Sequence, residues 1–369
     1  MRFRLLTVLL LFTAAAVPEE IPSLTLANGK LELSVLVQGS TMANLTLAGD
    51  STKFSPLWNP DRKSGAGFGH FVCVDGFGPV SAEENAAGLT GHGEAHVQTY
   101  QVRQSGKQDG TTSLTLTAKL PIVQEIFTRT FRMVDGENVI YVESTLENLL
   151  GFDRPVNWAE HATIGSPFLE SGVTAVDMSG TRSRTRPNQP TGPAERQQRL
   201  APGKDFTWPM APGLDGTPIN LRFVPDQPHY LDHTATLLDP SRKLEWVTAL
   251  NPKKKLILGY LFRRDDYPWM QYWGDYPSTG KFARGMEFGT QPFDVPRREA
   301  ISAGALFDTP LYRWLPAKAT IETKFLLFYT ALPDGFAKID DVRLENGRIV
   351  IEDHTSNKSV SLNASRGLE

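Results

Sequence analysis

Between residues 97 and 147 the chain divides into four runs, 97–103, 112–120, 126–134 and 138–147, rich in β-branched, aromatic and other apolar residues. Polar turn sequences separate them, among them Gln108-Asp109-Gly110 and Asp135-Gly136. Short runs at such close spacing, broken by turn residues, are what successive antiparallel strands look like in sequence. No window carries a sustained 3.6-residue apolar period, which argues against a helical bundle. No repeat of roughly 20 to 50 residues is present either, which argues against a propeller or solenoid. The expected fold class is all-β: one large antiparallel β-sandwich with few helices.

The rest of the chain agrees. Leu31, Leu33, Val35 and Val37 alternate with Glu32 and Ser34 after an Asn28-Gly29 turn, the pattern of a half-buried strand. Further strands are expected at 71–74, 221–224, 235–238, 244–249, 256–262, 269–273, 303–307 and 320–330. A hairpin is expected around Asn346-Gly347, with the last dozen polar residues frayed. Residues 181–204 break the pattern with prolines, glutamines and five arginines (Arg182, Arg184, Arg186, Arg196, Arg199). They read as a long exposed loop, or as a basic lip for an acidic sugar.

The first residues read as a targeting segment. Arg2 and Arg4 precede an apolar stretch, 5–12, too short to span a bilayer, and Ala14-Ala15-Ala16 fits a small-residue cleavage site. The expected division is a signal peptide at 1–16, the sandwich at 17–335, and a C-terminal β-hairpin and polar tail at 336–369. Export to a bacterial periplasm or the exterior follows, with no membrane association after cleavage. A net charge of −3 gives no reason to expect a nucleic-acid partner. The single cysteine, Cys73, lies in an apolar run and reads as a buried core residue.

Several stretches carry chemistry. In G-H-G-E-A-H, His92 sits between two glycines that let the backbone bend closely around a ligand. In N-W-A-E-H-A-T, strand alternation sends Trp158 and Glu160 to one face and His161 to the other. An imidazole there suits general acid work, or is a hydrogen-bonded structural histidine. Glu287, between Met286 and Phe288, is a carboxyl in apolar company, suited to act as a base, or a glutamate at a strand end. Asp232 in Y-L-D-H is a hydroxyl acceptor or a turn residue. Trp158, Trp208, Trp269, Tyr272 and Trp273 offer flat faces for a pyranose or fill the core.

These segments, in this order, resemble the aldose 1-epimerase (galactose mutarotase-like) family. L-A-N-G-K-L-E-L-S-V-L-V-Q-G-S-T-M-A-N-L-T-L is similar to that family's first strands. G-H-G-E-A-H resembles its first histidine segment, W-A-E-H-A-T-I-G-S-P-F its second, L-D-H-T its aspartate segment, and R-G-M-E-F-G-T-Q-P-F its glutamate segment. The resemblance implies His161 as the general acid at the ring oxygen and Glu287 as the general base at the anomeric hydroxyl. It implies His92, Asp232, Trp158 and Trp273 as sugar-binding residues, with Arg62 at the place of a family arginine. The family's Asn-Arg pair is missing, and Glu160 replaces the asparagine before the second histidine.

The implied activity is interconversion of sugar anomers by acid/base ring opening, on a monosaccharide or the end of an oligosaccharide, with no cofactor and no metal. A secreted carbohydrate-binding or accessory protein without turnover is the rival reading. A polysaccharide hydrolase or lyase on the same sandwich is the third.

Overall fold

A computed structural model describes residues 22–60, 67–187 and 195–368. The expected signal segment and Arg62 lie outside them. The described chain is almost entirely antiparallel strand, with two short helices, Ala82–Ala86 and Arg297–Ala303. No helix among the described residues is long and apolar enough to cross a membrane.

Two large sheets face each other. One has ten strands in the order Ser23–Ala27, Leu31–Leu36, Met42–Leu47, His70–Val74, Trp158–Gly165, Ala283–Gly289, Trp269–Tyr276, Tyr230–Leu238, Gly180–Thr185, Asp205–Thr207. The other has eight: Ala175–Met178, Leu244–Asn251, Leu256–Arg263, Thr320–Ala331, Val139–Asn148, Glu125–Val134, Thr111–Leu120, Gln101–Gln108. Glu125–Val134 shows the expected alternation, every second residue buried. Its Phe127 and Phe131 reach into the main core beside Leu114, Leu116 and Val142. Burying side chains of this size is worth about 1.5–3 kcal/mol each.

Five expectations change. The 97–103 run is strand only from Gln101 on, in Gln101–Gln108, and 221–224 is a turn with a single isolated bridge at Phe223. Residues 180–185 are not loop: Gly180–Thr185 is a strand of the ten-stranded sheet, paired with Tyr230–Leu238 and Asp205–Thr207. The 303–307 run is mostly the end of a helix and a two-residue strand, Ala305–Leu306. The C-terminus is not frayed: Lys358–Asn363 adds a third strand to the expected hairpin. That small sheet covers the outer face of the eight-stranded one, with Val342, Ile349 and Ile351 packed on Val139, Trp246 and Phe328. The tail is tied down by Ser365 N–H donating to Glu137 Oε1 (3.0 Å), and Leu368 is buried.

Between the two large sheets lies a wholly buried charge network centred on Glu160. Arg129 Nη2 donates to Oε1 at 2.5 Å, His70 Nε2 lies 3.0 Å from Oε2, and Tyr267 and Trp158 donate to Oε1 at 3.2 and 3.4 Å. Burial alone would raise the carboxyl's pKa, but Arg129 and His70 outweigh it and hold Glu160 below the usual carboxylate range. Arg129 is itself anchored on Ser144 across the eight-stranded sheet, at 2.9 Å. Removing one partner strands the other charge away from water. Glu160→Ala should therefore cost about 3–5 kcal/mol in urea unfolding, far more than its packing area alone would predict.

Candidate active site

The strand Trp158–Gly165 is buried along its whole length because each face is covered by something different. Its even-numbered residues Trp158 and Glu160 point between the sheets. The odd-numbered ones point to the opposite face. His161 sits on that face, opposite Phe71 of His70–Val74. On its other side Glu160 pairs with Phe288 and Thr163 with Gly285, which sets His161 directly across from Glu287. Gln271 is the next residue along the row, paired with Glu287. Side by side, three strands thus present His161, Glu287 and Gln271 on one face.

The contacts follow from that register. His161 Nε2 lies 3.3 Å from Glu287 Oε1, and its Nδ1 lies 2.9 Å from Thr163 Oγ1. The imidazole stacks on Phe71, with centroids 4.2 Å apart and planes 18° apart. Gln271 Nε2 donates to Glu287 Oε2 at 2.9 Å. Glu287 folds back over Gly285, where an added Cβ would fall 2.0 Å from Oε1. Only glycine at 285 leaves room for the carboxyl to reach His161.

His92 closes one side. Its own φ is +65°, and that of Gly93 is +79°; a Cβ on Gly93 would lie 1.9 Å from Val74 O. Glycine is therefore required next to His92 both by conformation and by space. His92 Nδ1 accepts a hydrogen bond from Gly78 N–H at 3.2 Å, which leaves the ring hydrogen on Nε2. Its ring meets that of His161 edge-on at 5.0 Å. Trp273, half-buried, meets His161 from another side at 6.3 Å and Trp58 at 6.2 Å.

The structure thus brings together His161, Glu287, His92 and Trp273. It sends two other residues elsewhere. Asp232 lies on the opposite face of the ten-stranded sheet, since its register partner is Gly274 rather than Trp273. There it is fully buried and accepts a forked pair of bonds from Arg199, at 3.0 and 2.5 Å. Trp158 is fully buried between the sheets, packed on Phe127 and bonded to Glu160, so no ligand face is left. Glu94 also turns away: it accepts from the backbone N–H groups of Ile122 and Val123.

Three residues that sequence reading did not single out, Gln271, His233 and Asp294, stand on the site face or beside it, together with Arg186, which was read only as part of an exposed loop or basic lip. Gln271 was legible, because alternation places it with Trp269 and Trp273. His233 is the next letter after Asp232 and pairs with Trp273, so one step along the strand changes the face. Arg186 and Asp294 come from segments outside regular strands and carry no periodic signal.

Burial dominates the electrostatics. It raises the Glu287 carboxyl well above its ordinary range, with the nearby Asp294 charge adding to the effect and the Gln271 bond opposing it. It lowers His161 well below its ordinary value, helped by His92, and takes His92 to about 3 and His96 to about 4. The His161–Glu287 pair is thereby favoured as neutral imidazole and protonated carboxyl.

No family model matches the sequence, and no curated protein matches it. Solved structures do match. A galactose mutarotase-like protein from Clostridium acetobutylicum superposes with a TM-score of 0.61 at 12% identity, over 85% of this chain and 96% of its own. The Slr1438 protein from Synechocystis gives 0.60 at 14% identity, over 87% and 100%. A galactose mutarotase related enzyme from Lactobacillus acidophilus gives 0.57 at 14%, over 86% and 100%. The chain is a β-sandwich of the galactose mutarotase-like class. It is alike to these proteins in fold and distant from them in sequence.

The depressed histidines set a pH dependence. An imidazole kept neutral in the folded protein binds fewer protons than the same group in the unfolded chain, so stability falls as pH drops through about 6.5 toward the folded values. Denaturant midpoints should fall between about pH 7 and about pH 5. A His92→Asn, His96→Asn double variant should show a shallower fall across the same range.

Proposed function

We propose that the protein is an exported aldose-binding enzyme that interconverts sugar anomers by acid/base ring opening. The observation that carries this reading is the 3.3 Å contact between His161 Nε2 and Glu287 Oε1, on neighbouring strands beside Trp273. The anomeric oxygen O1 and the ring oxygen O5 share one carbon, C1. A donor and an acceptor this close together serve both oxygens from one side of the sugar.

The neutral pair holds one exchangeable proton, and burial places it on Glu287. Glu287 gives that proton to O5 as the C1–O5 bond breaks, and His161 takes the proton of the O1 hydroxyl. These roles are the reverse of those implied by the family resemblance. The open chain carries C1=O1 and a free O5 hydroxyl. After rotation about C1–C2, O5 closes on the other face of the aldehyde and both protons return. Trp273 offers its face to the ring's C–H side, and the hydrogen on His92 Nε2 can bind a sugar oxygen. Export rests on the N-terminal segment alone: a fusion of residues 1–30 to a reporter should carry the reporter out of a bacterial cytoplasm.

An acidic polymer is not favoured as the ligand. Each arginine of the 182–199 region already faces a carboxylate: Arg182 and Arg184 face Asp205, Arg186 faces Asp294, Arg196 faces Asp275 and Arg199 faces Asp232. A hydrolase or lyase reading for such a polymer loses the basic lip that suggested it.

Polarimetry on freshly dissolved aldoses tests the proposal. Glu287→Gln and His161→Asn should each slow enzyme-catalysed anomer interconversion by about 10²–10⁴-fold while sugar binding persists. Unchanged rates in both variants would reject the mechanism. Saturable sugar binding by the wild type with no acceleration would make it a carbohydrate-binding protein instead.

A further inference from the structure

A second polar group stands on the same sheet face, two strands away from Glu287. His233 pairs with Trp273, and its Nδ1 accepts a hydrogen bond from Arg186 Nη1 at 2.8 Å. The ring hydrogen is therefore on Nε2, which lies 3.4 Å from Asp294 Oδ1. Arg186 Nη1 also donates to that same Oδ1, and Arg186 Nη2 to the Asp294 carbonyl at 3.1 Å. Arg186 thus holds Asp294 at one carboxyl oxygen and at its carbonyl, while His233 Nε2 stands nearby without a hydrogen bond to it. The other carboxyl oxygen, Oδ2, has no protein partner among the described residues, and the side chain keeps 22% of its exposure.

The position of Asp294 ties it to the cleft. Its backbone lies directly on Gly78, where an added Cβ would come within 2.3 Å of Asp294 Cβ. Gly78 is bound twice to His92, through its N–H to Nδ1 and through its carbonyl to the His92 N–H at 2.8 Å. Gln271, buried, stands on the strand between Glu287 and His233. Two strand spacings amount to about 10 Å. That breadth suits a single sugar ring with its hydroxyls.

We propose that Asp294 is a specificity-determining residue, whose Oδ2 accepts hydrogen bonds from sugar hydroxyls on the side of the ring remote from C1. Arg186 is the positioning residue that fixes its orientation, and His233 Nδ1 in turn holds Arg186. The proposal rests on the reading of His161 and Glu287 as the anomeric end of the site. A carboxyl oriented by a guanidinium at one oxygen and free at the other is an acceptor of fixed direction for a hydroxyl. A sugar lacking that hydroxyl leaves the half-buried acceptor covered by the ligand and unpaired, so discrimination is expected.

The test uses the full-length mature protein with glucose, galactose and their monodeoxy derivatives. Binding is followed by calorimetry and, where turnover occurs, kcat and KM by polarimetry. In the wild type, one deoxy position should weaken binding by about 10-fold or more relative to the parent sugar. In Asp294→Ala that ratio should collapse toward one, with KM raised more than kcat is lowered. Asp294→Asn keeps an acceptor for Arg186 and guards against misfolding; it should lose a large part of the same discrimination. An unchanged ratio at every deoxy position in both variants overturns this proposal and leaves the functional reading intact. A wild type that binds none of these sugars overturns both.

Discussion

The buried carboxylate of Glu160 is the interaction on which the arrangement of the site depends. It is the meeting point of Arg129 from one sheet, His70 from the neighbouring strand, Trp158 on its own strand, and Tyr267. An ionised group in such a place is tolerated only because several donors meet it at once. The geometric result is a strand that cannot rotate or slip. A one-residue slip of Trp158–Gly165 would carry Glu160 to the cleft face and His161 into the core. The network therefore fixes the position of His161 from behind, without touching it.

In front of that strand the same economy of space recurs. Phe71 supports the imidazole, Gly285 yields the volume that the Glu287 carboxyl occupies, and Gly78 lets the chain at Asp294 approach His92's anchor. Each polar atom of the pair is thus bordered by a residue chosen for its surface or for the lack of one. The low-dielectric surroundings favour the neutral form of both groups.

Much of the architecture was legible because antiparallel strands write their pattern locally. The three successive strands between 111 and 148, the opposite faces of Glu160 and His161, and the meeting of His92, His161 and Glu287 all follow from alternation together with the family resemblance. What escaped did so for identifiable reasons. Asp232 was chosen over His233 on residue type, while the pleat assigns them to opposite faces and register alone decides which faces the cleft. Trp158 was valued for its ring, but its even-numbered position sends it to the core. Strand 180–185 hid beneath its arginines, because its partners are carboxylates distant in sequence rather than apolar neighbours. The ordered C-terminus was equally hidden, since Lys358–Asn363 is polar and is held by pairing with Arg348–Asp353 rather than by an apolar stripe.

The pairing of arginines with carboxylates also bears on how a ligand arrives. From Arg182 to Arg199 every arginine lies beside a carboxylate, Arg182 and Arg184 sharing Asp205, so this side of the cleft projects a reduced field into solvent. Long-range attraction of the kind that accelerates capture of charged molecules has little to act on. Added salt, which shortens the reach of unmatched surface charge, therefore has little to screen along this side of the cleft.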